Sequence, residues 1–427
     1  MTTSYLRRFA LFQRDVRLYL ISLTIALFVV GIWGVLFNLL LVRLGYGPEF
    51  VGLVSAAGSL VYAVSCLLSG AMAKWLGSRR MITFGFCLGT LATVMAGSGQ
   101  FVPRTLQSGW LVICSLCGWA AFAMYYSNGI PFLIQATSKE ERNHAFSVRG
   151  ALMPLTGFLG GVLGGVMPGL LRSAFGSLSG LSPDHPSPYS YSLLLAGAAS
   201  LPAIVVMLTT DKVGAWDSGE AEDRTDAIPL GVIGFVAFFC LVYMVGQRAA
   251  FTFFNIYLDL DLEVSTAQIG VLLALAKLVA APAALAFPVL AKRMGEDRTL
   301  IAATVGVAVS LAFLALVPHW SAAALGLAGT VALGTVATTS VVVYSQKLVT
   351  QEWQSVMSGA LTMAIGLGIT SSTLAGGYVI EAFGYRPLFA AGAVTTVASA
   401  GLFWAYFRVP RGELAQSAPE PAAFAVD

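Results

Sequence analysis

Charge is what this chain has least of. Asp, Glu, Lys and Arg make up 11% of its 427 residues, against roughly 25% in an ordinary soluble domain. Only three histidines occur, and His144, His185 and His319 all fall in loops or at the ends of apolar runs, so no metal centre is expected. The five cysteines (Cys66, Cys87, Cys114, Cys117 and Cys240) lie inside apolar runs, which implies no disulfide framework. Cys114 and Cys117 form a CxxC, but without a nearby His or acid they read as small packing residues rather than redox or metal ligands. There is no glycine-rich nucleotide loop and no nucleophile–base set in the loops, so neither an enzyme nor a cofactor is expected. A net charge of +3 is too small to suggest nucleic acid.

What the chain has in excess is apolar length. Twelve runs, near 18–43, 50–73, 81–101, 108–134, 145–171, 190–209, 228–258, 266–290, 299–318, 321–346, 355–381 and 387–407, are each long enough to cross about 30 Å of hydrocarbon. With no water to bond the backbone they must be helices, because barrel strands would be half as long and would alternate. With the N-terminus placed inside, the segments on that side hold 18 of the 24 Lys and Arg and the opposite loops hold four. That bias predicts both termini in the cytoplasm. No cleavable signal peptide is read, and a multi-pass plasma-membrane protein, of a bacterial inner membrane, is expected. Residues 1–17 form a basic leader, either lying on the membrane surface or disordered. The segment 211–227 is the longest charged stretch and reads as a cytoplasmic linker. A second loop is expected near 173–189, and 409–427 reads as a disordered tail.

The sequence also repeats itself. Phe37-Asn38 returns as Phe254-Asn255, Val51-Gly52 as Ile269-Gly270, and Lys74-Trp75-Leu76-Gly77 as Lys292-Arg293-Met294-Gly295. Gln135 and Glu141 return as Gln346 and Glu352, and Ala174-Phe175-Gly176 as Ala382-Phe383-Gly384. The expected fold is therefore an all-α integral membrane protein of two pseudo-symmetric six-helix bundles, 18–210 and 228–408, with a site between them.

Twelve helices, a six-plus-six duplication and a basic turn after helices 2 and 8 resemble the major facilitator superfamily over about residues 15–408. The turn motif of that family fits Gly70, Gly77, Arg79 and Arg80, with Lys74 where the family has Asp. The second copy keeps Lys292, Arg293, Gly295 and Arg298, with Pro288 for the first Gly. The resemblance implies that these turns help stabilise one of two access states; Glu141, beside Arg142, and Glu352 on the other cytoplasmic turns are candidates to supply the missing carboxylates. Gly160-Gly161-Val162-Leu163-Gly164-Gly165 approaches an exporter motif of the family, with Gly161 for its Pro. Equally, Gly157, Gly161 and Gly165 form a small-residue ridge for close helix packing.

Two cations stand at membrane depth, where charge is expensive and marks function. Arg248 lies about 16 Å and Lys277 about 15 Å from the nearer helix end at 1.5 Å per residue. Arg248, Thr252, Asn255 and Asp259 recur at helical spacing and form one polar stripe. In the repeat, Asn255 matches Asn38, but Arg248 matches Gly31 and Lys277 matches Ser59. The competing readings are that Arg248 bonds backbone carbonyls or Asp259, and that Lys277 snorkels, as Arg149 on helix 5 can. The resemblance adds Gln247, Tyr62, Tyr125, Asn128 and Thr338 as lining candidates. No Asp, Glu or His stands at mid-depth in any run, which disfavours a cation site. The expected activity is a monomeric secondary carrier for a small organic anion, working by rocking-bundle alternating access. The alternatives are a proton-linked exporter of drugs or lipids and a non-transporting membrane receptor.

Overall fold

The computed structural model describes residues 12–137, 139–179, 185–210, 229–350 and 353–408. Among them the chain forms twelve long helices and no strand. They are α1 (Arg14–Arg43), α2 (Pro48–Leu76), α3 (Ser78–Gly97), α4 (Arg104–Ala136), α5 (Lys139–Ser179) and α6 (Ser187–Leu208). The second set is α7 (Leu230–Ile256), α8 (Thr266–Met294), α9 (Glu296–Leu316), α10 (Trp320–Gln346), α11 (Gln354–Phe383) and α12 (Tyr385–Phe407). All twelve contain a stretch apolar and long enough to cross a membrane.

Local chemistry sets the helix ends. Pro48 opens α2, where a missing N–H is harmless. Ser265 and Gln268 form a reciprocal capping box at the start of α8. The duplicated glycines are duplicated in geometry too. Gly77 between α2 and α3 has φ 81°, and Gly295 between α8 and α9 has φ 88°, a region that favours glycine. Each turn thereby reverses the chain with almost no loop. Arginines satisfy the carbonyls left over at three helix C-termini: Arg104 on Leu44 at the end of α1, Arg79 on Leu208 at the end of α6, and Arg386 on Ala315 and Leu316 at the end of α9.

Some boundaries differ from the sequence reading. The first helix begins at Arg14, inside the expected leader, because Asp15 and Arg17 continue its first turn. The expected loop at 173–189 is helical as far as Ser179. Gly384 ends α11 at φ 84°, whereas its repeat partner Gly176 lies inside α5. The linker 211–227 and the tail 409–427 lie outside the described residues.

Packing repeats with the sequence. In the first half α3 packs on α4, α4 on α2, α1 on α5 and on α6, and α3 on α6; α7–α12 reproduce every one of these pairs. The halves meet through α5 with α8 and α2 with α11, two seams that exchange under the same repeat. Helices alternate in direction, so one face carries the start of α1 and the end of α12 (the terminal face) and the other the α1–α2 and α7–α8 turns (the distal face). Both seams are backbone-close on the distal side. A Cβ on Gly165 would lie 2.8 Å from the Cα of Gly270, and one on Gly377 2.8 Å from the carbonyl oxygen of Pro48. The glycine ridge of α5 is thus packing surface on two sides, since a Cβ on Gly31 of α1 would lie 2.9 Å from the Cα of Gly160. Small residues are what permit such approach where lipid supplies no hydrophobic drive.

A side chain on this seam cannot be accommodated without separating the halves. We expect Gly165→Leu to disfavour the distal-closed arrangement by about 1–3 kcal/mol, the usual range for overpacking. The check is the labelling rate of a Thr266→Cys probe in a background freed of native cysteines. The rate should rise in the variant; an unchanged rate would show that this contact does not hold the seam shut.

Candidate functional site

The polar stripe of α7 faces α1, and three of its four members meet the other half. The Asn38 side chain donates to the carbonyl oxygen of Thr252 at 3.0 Å. Asn255 returns the contact, donating to the carbonyl oxygen of Val35 at 3.3 Å. The two asparagines of the repeat are therefore equivalent in role, each fastening its own helix to the backbone of the other. Their amide donors are engaged here with the seam rather than turned to a ligand.

The third contact comes from a π-helical turn, Tyr257–Asp261, that follows α7. Widening the helix there places Asp259 opposite Arg43, and the guanidinium donates two parallel bonds of 2.7 and 2.8 Å. Arg43 is 13% and Asp259 6% exposed, so the pair is shielded from solvent. The guanidinium also stands 5.5 Å from the centre of the Tyr189 ring, and the Tyr189 hydroxyl bonds Thr266 at 2.9 Å. These contacts tie α1, α6, α7 and α8 together at the distal face. They also remove one competing reading of Arg248, because Asp259 is committed to Arg43.

Arg248 is the fourth member of the stripe, and it has no such partner. Among the described residues no carboxylate pairs with it, and its buried Nε has no acceptor. Its guanidinium lies 5.1 Å from the centre of the Phe251 ring, within electrostatic reach of Tyr62 on α2 and Tyr243 on α7. Lys277 on α8 is in the same condition. It reaches across to the first half: a Cβ placed on Gly34 of α1 would lie 3.6 Å from its Nζ, and one on Gly157 of α5 would lie 3.6 Å from its Cδ. Two glycines thus make the room that its stem occupies, and no hydrogen bond or ion pair holds its ammonium among the described residues.

A third cation was underrated by sequence. Arg149 does not extend along α5 to the surface. Its Nη2 donates to the carbonyl oxygen of Tyr126 at 2.9 Å and its Nε to the Tyr19 hydroxyl at 3.3 Å. The guanidinium sits 4.8 Å from the centre of the Tyr126 ring. Burying those donors on α1 and α4 outweighs reaching for water. Tyr126 in turn stacks on Phe122 at 5.1 Å, and Phe122 lies 5.7 Å from Tyr62. Tyr126, Tyr243 and Arg149 were not among the residues singled out for binding, although Trp119, Phe122 and Tyr126 stand at helical spacing and mark this face of α4.

Other candidates are placed elsewhere. Tyr125 is buried in the first half, 5.1 Å from Phe86, and Asn128 is buried and donates to the carbonyl oxygen of Met124 at 2.8 Å. Gln247 is buried beside Gly334 of α10, with its Oε1 lacking a donor. Of the expected gating residues, Arg79 bonds Thr210 and Leu208 within its own half, while Arg80 and Lys292 are exposed. Lys347 and Glu296 pair at 2.7 Å across the ends of α10 and α9. Glu352 lies outside the described residues, and for Gly70, Glu141 and Arg142 only the helical backbone is described.

The family profile described as Major Facilitator Superfamily matches residues 18–373, and again 236–426. The chain belongs to the major facilitator superfamily. As a member of that superfamily it is a multi-pass membrane transporter and not an enzyme. Among curated proteins none matches the chain in sequence. Solved structures with the same fold include the D323A mutant of the nucleoside transporter NupG, at 16% identity and TM-score 0.73 over 92% of this chain and all of that one. A bacterial homologue of the human lysosomal transporter Spinster, inward-facing and unoccupied, matches at 14% identity and TM-score 0.70 over 96% and 98%. The human organic anion transporter MFSD10 matches at 15% identity and TM-score 0.58 over 91% and 99%. At such identities the likeness is one of fold.

For this superfamily member the Arg43–Asp259 pair offers a direct test of the distal closure. Removing one partner of a shielded, bidentate pair should weaken the closed face by about 2 kcal/mol. We expect Asp259→Asn and Arg43→Gln each to broaden spin-label distances across the distal face, with little further change in the double variant. Fully additive effects would mean that the two residues act separately.

Proposed function

We propose that this chain carries a small organic anion through a central site between its halves, by alternating access. Arg248 and Lys277 are the principal anion-binding groups of this reading, and Arg149, held by Tyr126, adds a third positive charge. The observation that carries it is the absence of any acidic partner for Arg248 or Lys277 among the described residues. A lone charge in a low-dielectric interior is strongly disfavoured, so these positions call for water, for a negative ligand, or for both. Two cations at similar depth attract an anion and repel a cation through Coulomb forces that low polarity amplifies. The same fold serves a human organic anion transporter, and also transporters of nucleosides and of D-xylose.

In the same reading the terminal face is cytoplasmic, as the bias of Lys and Arg requires. The distal-closed arrangement then corresponds to an inward-facing state. Support for it comes from the hydrogen bonds of Asn38, Arg43, Tyr189 and Asn255, which join the halves toward the distal face. Rocking would break the Asn38, Asn255 and Arg43 contacts together and separate the glycine seams. The plasma membrane is the expected location, and the chain acts as a monomer.

Uptake and counterflow in proteoliposomes, with a panel of organic anions, cations and neutral solutes, tests this. Anions should be transported, and Arg248→Ala and Lys277→Ala should each lower their uptake about tenfold or more, the equivalent of one charge-assisted hydrogen bond. Undiminished anion uptake in both variants would refute the site, and transport of cations alone would overturn the reading.

A further inference from the structure

Behind Tyr62 the first half contains a half-open apolar cavity of about 180 Å³, lined by α1, α3, α4 and α6. Its walls include Trp33, Phe86, Trp119, Phe122 and Tyr125. Of the four hydroxyls that border it, those of Thr90, Thr93 and Ser200 are already committed. Thr90 and Ser200 bond one another at 2.7 Å, and Thr93 donates to the carbonyl oxygen of Gly89 at 2.8 Å. Such a space has little to offer water. A cavity of about 150 Å³ with apolar walls stays dry and takes up benzene, so this one has room for a single substituted ring.

The placement of the cavity matters as much as its size. Trp119 and Phe122 form part of its wall, and Tyr62 packs on the same two rings, at 5.8 Å and 5.7 Å between centroids. Trp119 stands edge-on to Tyr62 at an interplanar angle of 70° and is 37% exposed, so the wall is not sealed at that point. Tyr62 is the residue of α2 within electrostatic reach of Arg248. Trp33 is likewise followed in α1 by Gly34, the position toward which the Lys277 ammonium extends. The aromatic wall thus borders the apolar space and also packs on Tyr62, which is within electrostatic reach of Arg248.

We infer that the substrate is an amphipathic monoanion of the aryl-alkanoate class, its carboxylate at Arg248 and Lys277 and its ring in the cavity beyond Tyr62. This rests on the anion-carrier reading and narrows it. The ring enters past Trp119, which has the exposure to swing aside. Burying one phenyl ring should raise affinity about tenfold or more over a carboxylate lacking it.

Calorimetric binding to the purified full chain in nanodiscs, using 3-phenylpropionate, acetate and 3-phenylpropanamide, tests the inference. We expect 3-phenylpropionate to bind at least tenfold more tightly than either of the others. Gly118 borders the cavity, and a Cβ there would lie 3.7 Å from Trp33. Gly118→Leu should therefore fill the space and collapse the ratio of 3-phenylpropionate to acetate affinity. Phe122→Ala, which enlarges the space instead, should shift preference toward 3-(2-naphthyl)propionate, and it guards against a Gly118 variant that fails to fold. Equal affinity for 3-phenylpropionate and acetate, a ratio unmoved by both variants, or no binding of 3-phenylpropionate at millimolar concentration would overturn the inference. If anions still outbind the amide in that event, the anion reading itself survives. If the amide binds as well as the acid, or Arg248→Ala binds as wild type does, the anion reading falls and this inference with it.

Discussion

A charge inside a membrane must be compensated, and the arrangement of this protein follows from where compensation is supplied and where it is withheld. Arg43 finds Asp259, Arg149 finds a carbonyl and a tyrosine hydroxyl, and the arginines at helix ends find backbone oxygens. Each of those side chains fastens one helix to another. Arg248 and Lys277 fasten nothing among the described residues. The internal repeat reproduces neither of them, since Arg248 matches Gly31 and Lys277 matches Ser59.

The scaffold itself depends on small residues. Glycine on α5 serves α1 on one side and α8 on the other, so the same helix belongs to its own bundle and to the seam. Contacts of this type are shallow and numerous, and they carry no charge that would have to be desolvated when the halves close. The polar contacts are few and concentrated near the distal face. Two alternating access states require a seam that closes over a short range and releases as a unit, and contacts of this kind suit that requirement.

Much of this was legible in the sequence. Helix number, the repeat, the paired glycine turns and the depth of Arg248 and Lys277 follow from apolar length and from spacing, which operate along the chain. What could not be read depends on relations between helices. Asn38 and Asn255 were recognisable as a pair, yet only their neighbours' carbonyls reveal that they hold the seam. The partner of Asp259 required the π-helical turn, which has no simple sequence signal. Arg149 lay near enough to a helix end to be read as reaching for water, and it was Tyr19 and Tyr126, distant in sequence, that turned it inward. Tyr125 and Asn128 sit on the face of α4 that packs within the first half, one helical step away from the aromatic face of Trp119, Phe122 and Tyr126.

The central claim is that a negative ligand binds at Arg248 and Lys277 and offsets their charge by partial neutralisation. Pre-steady-state currents on solid-supported membranes read that neutralisation directly, as charge displaced when a solute binds. Organic anions should give a rapid current whose sign corresponds to negative charge entering the protein, and it should vanish when Arg248 and Lys277 are both replaced by alanine. A current of that sign persisting in the double variant, or a binding current obtained only with cations, would contradict the claim.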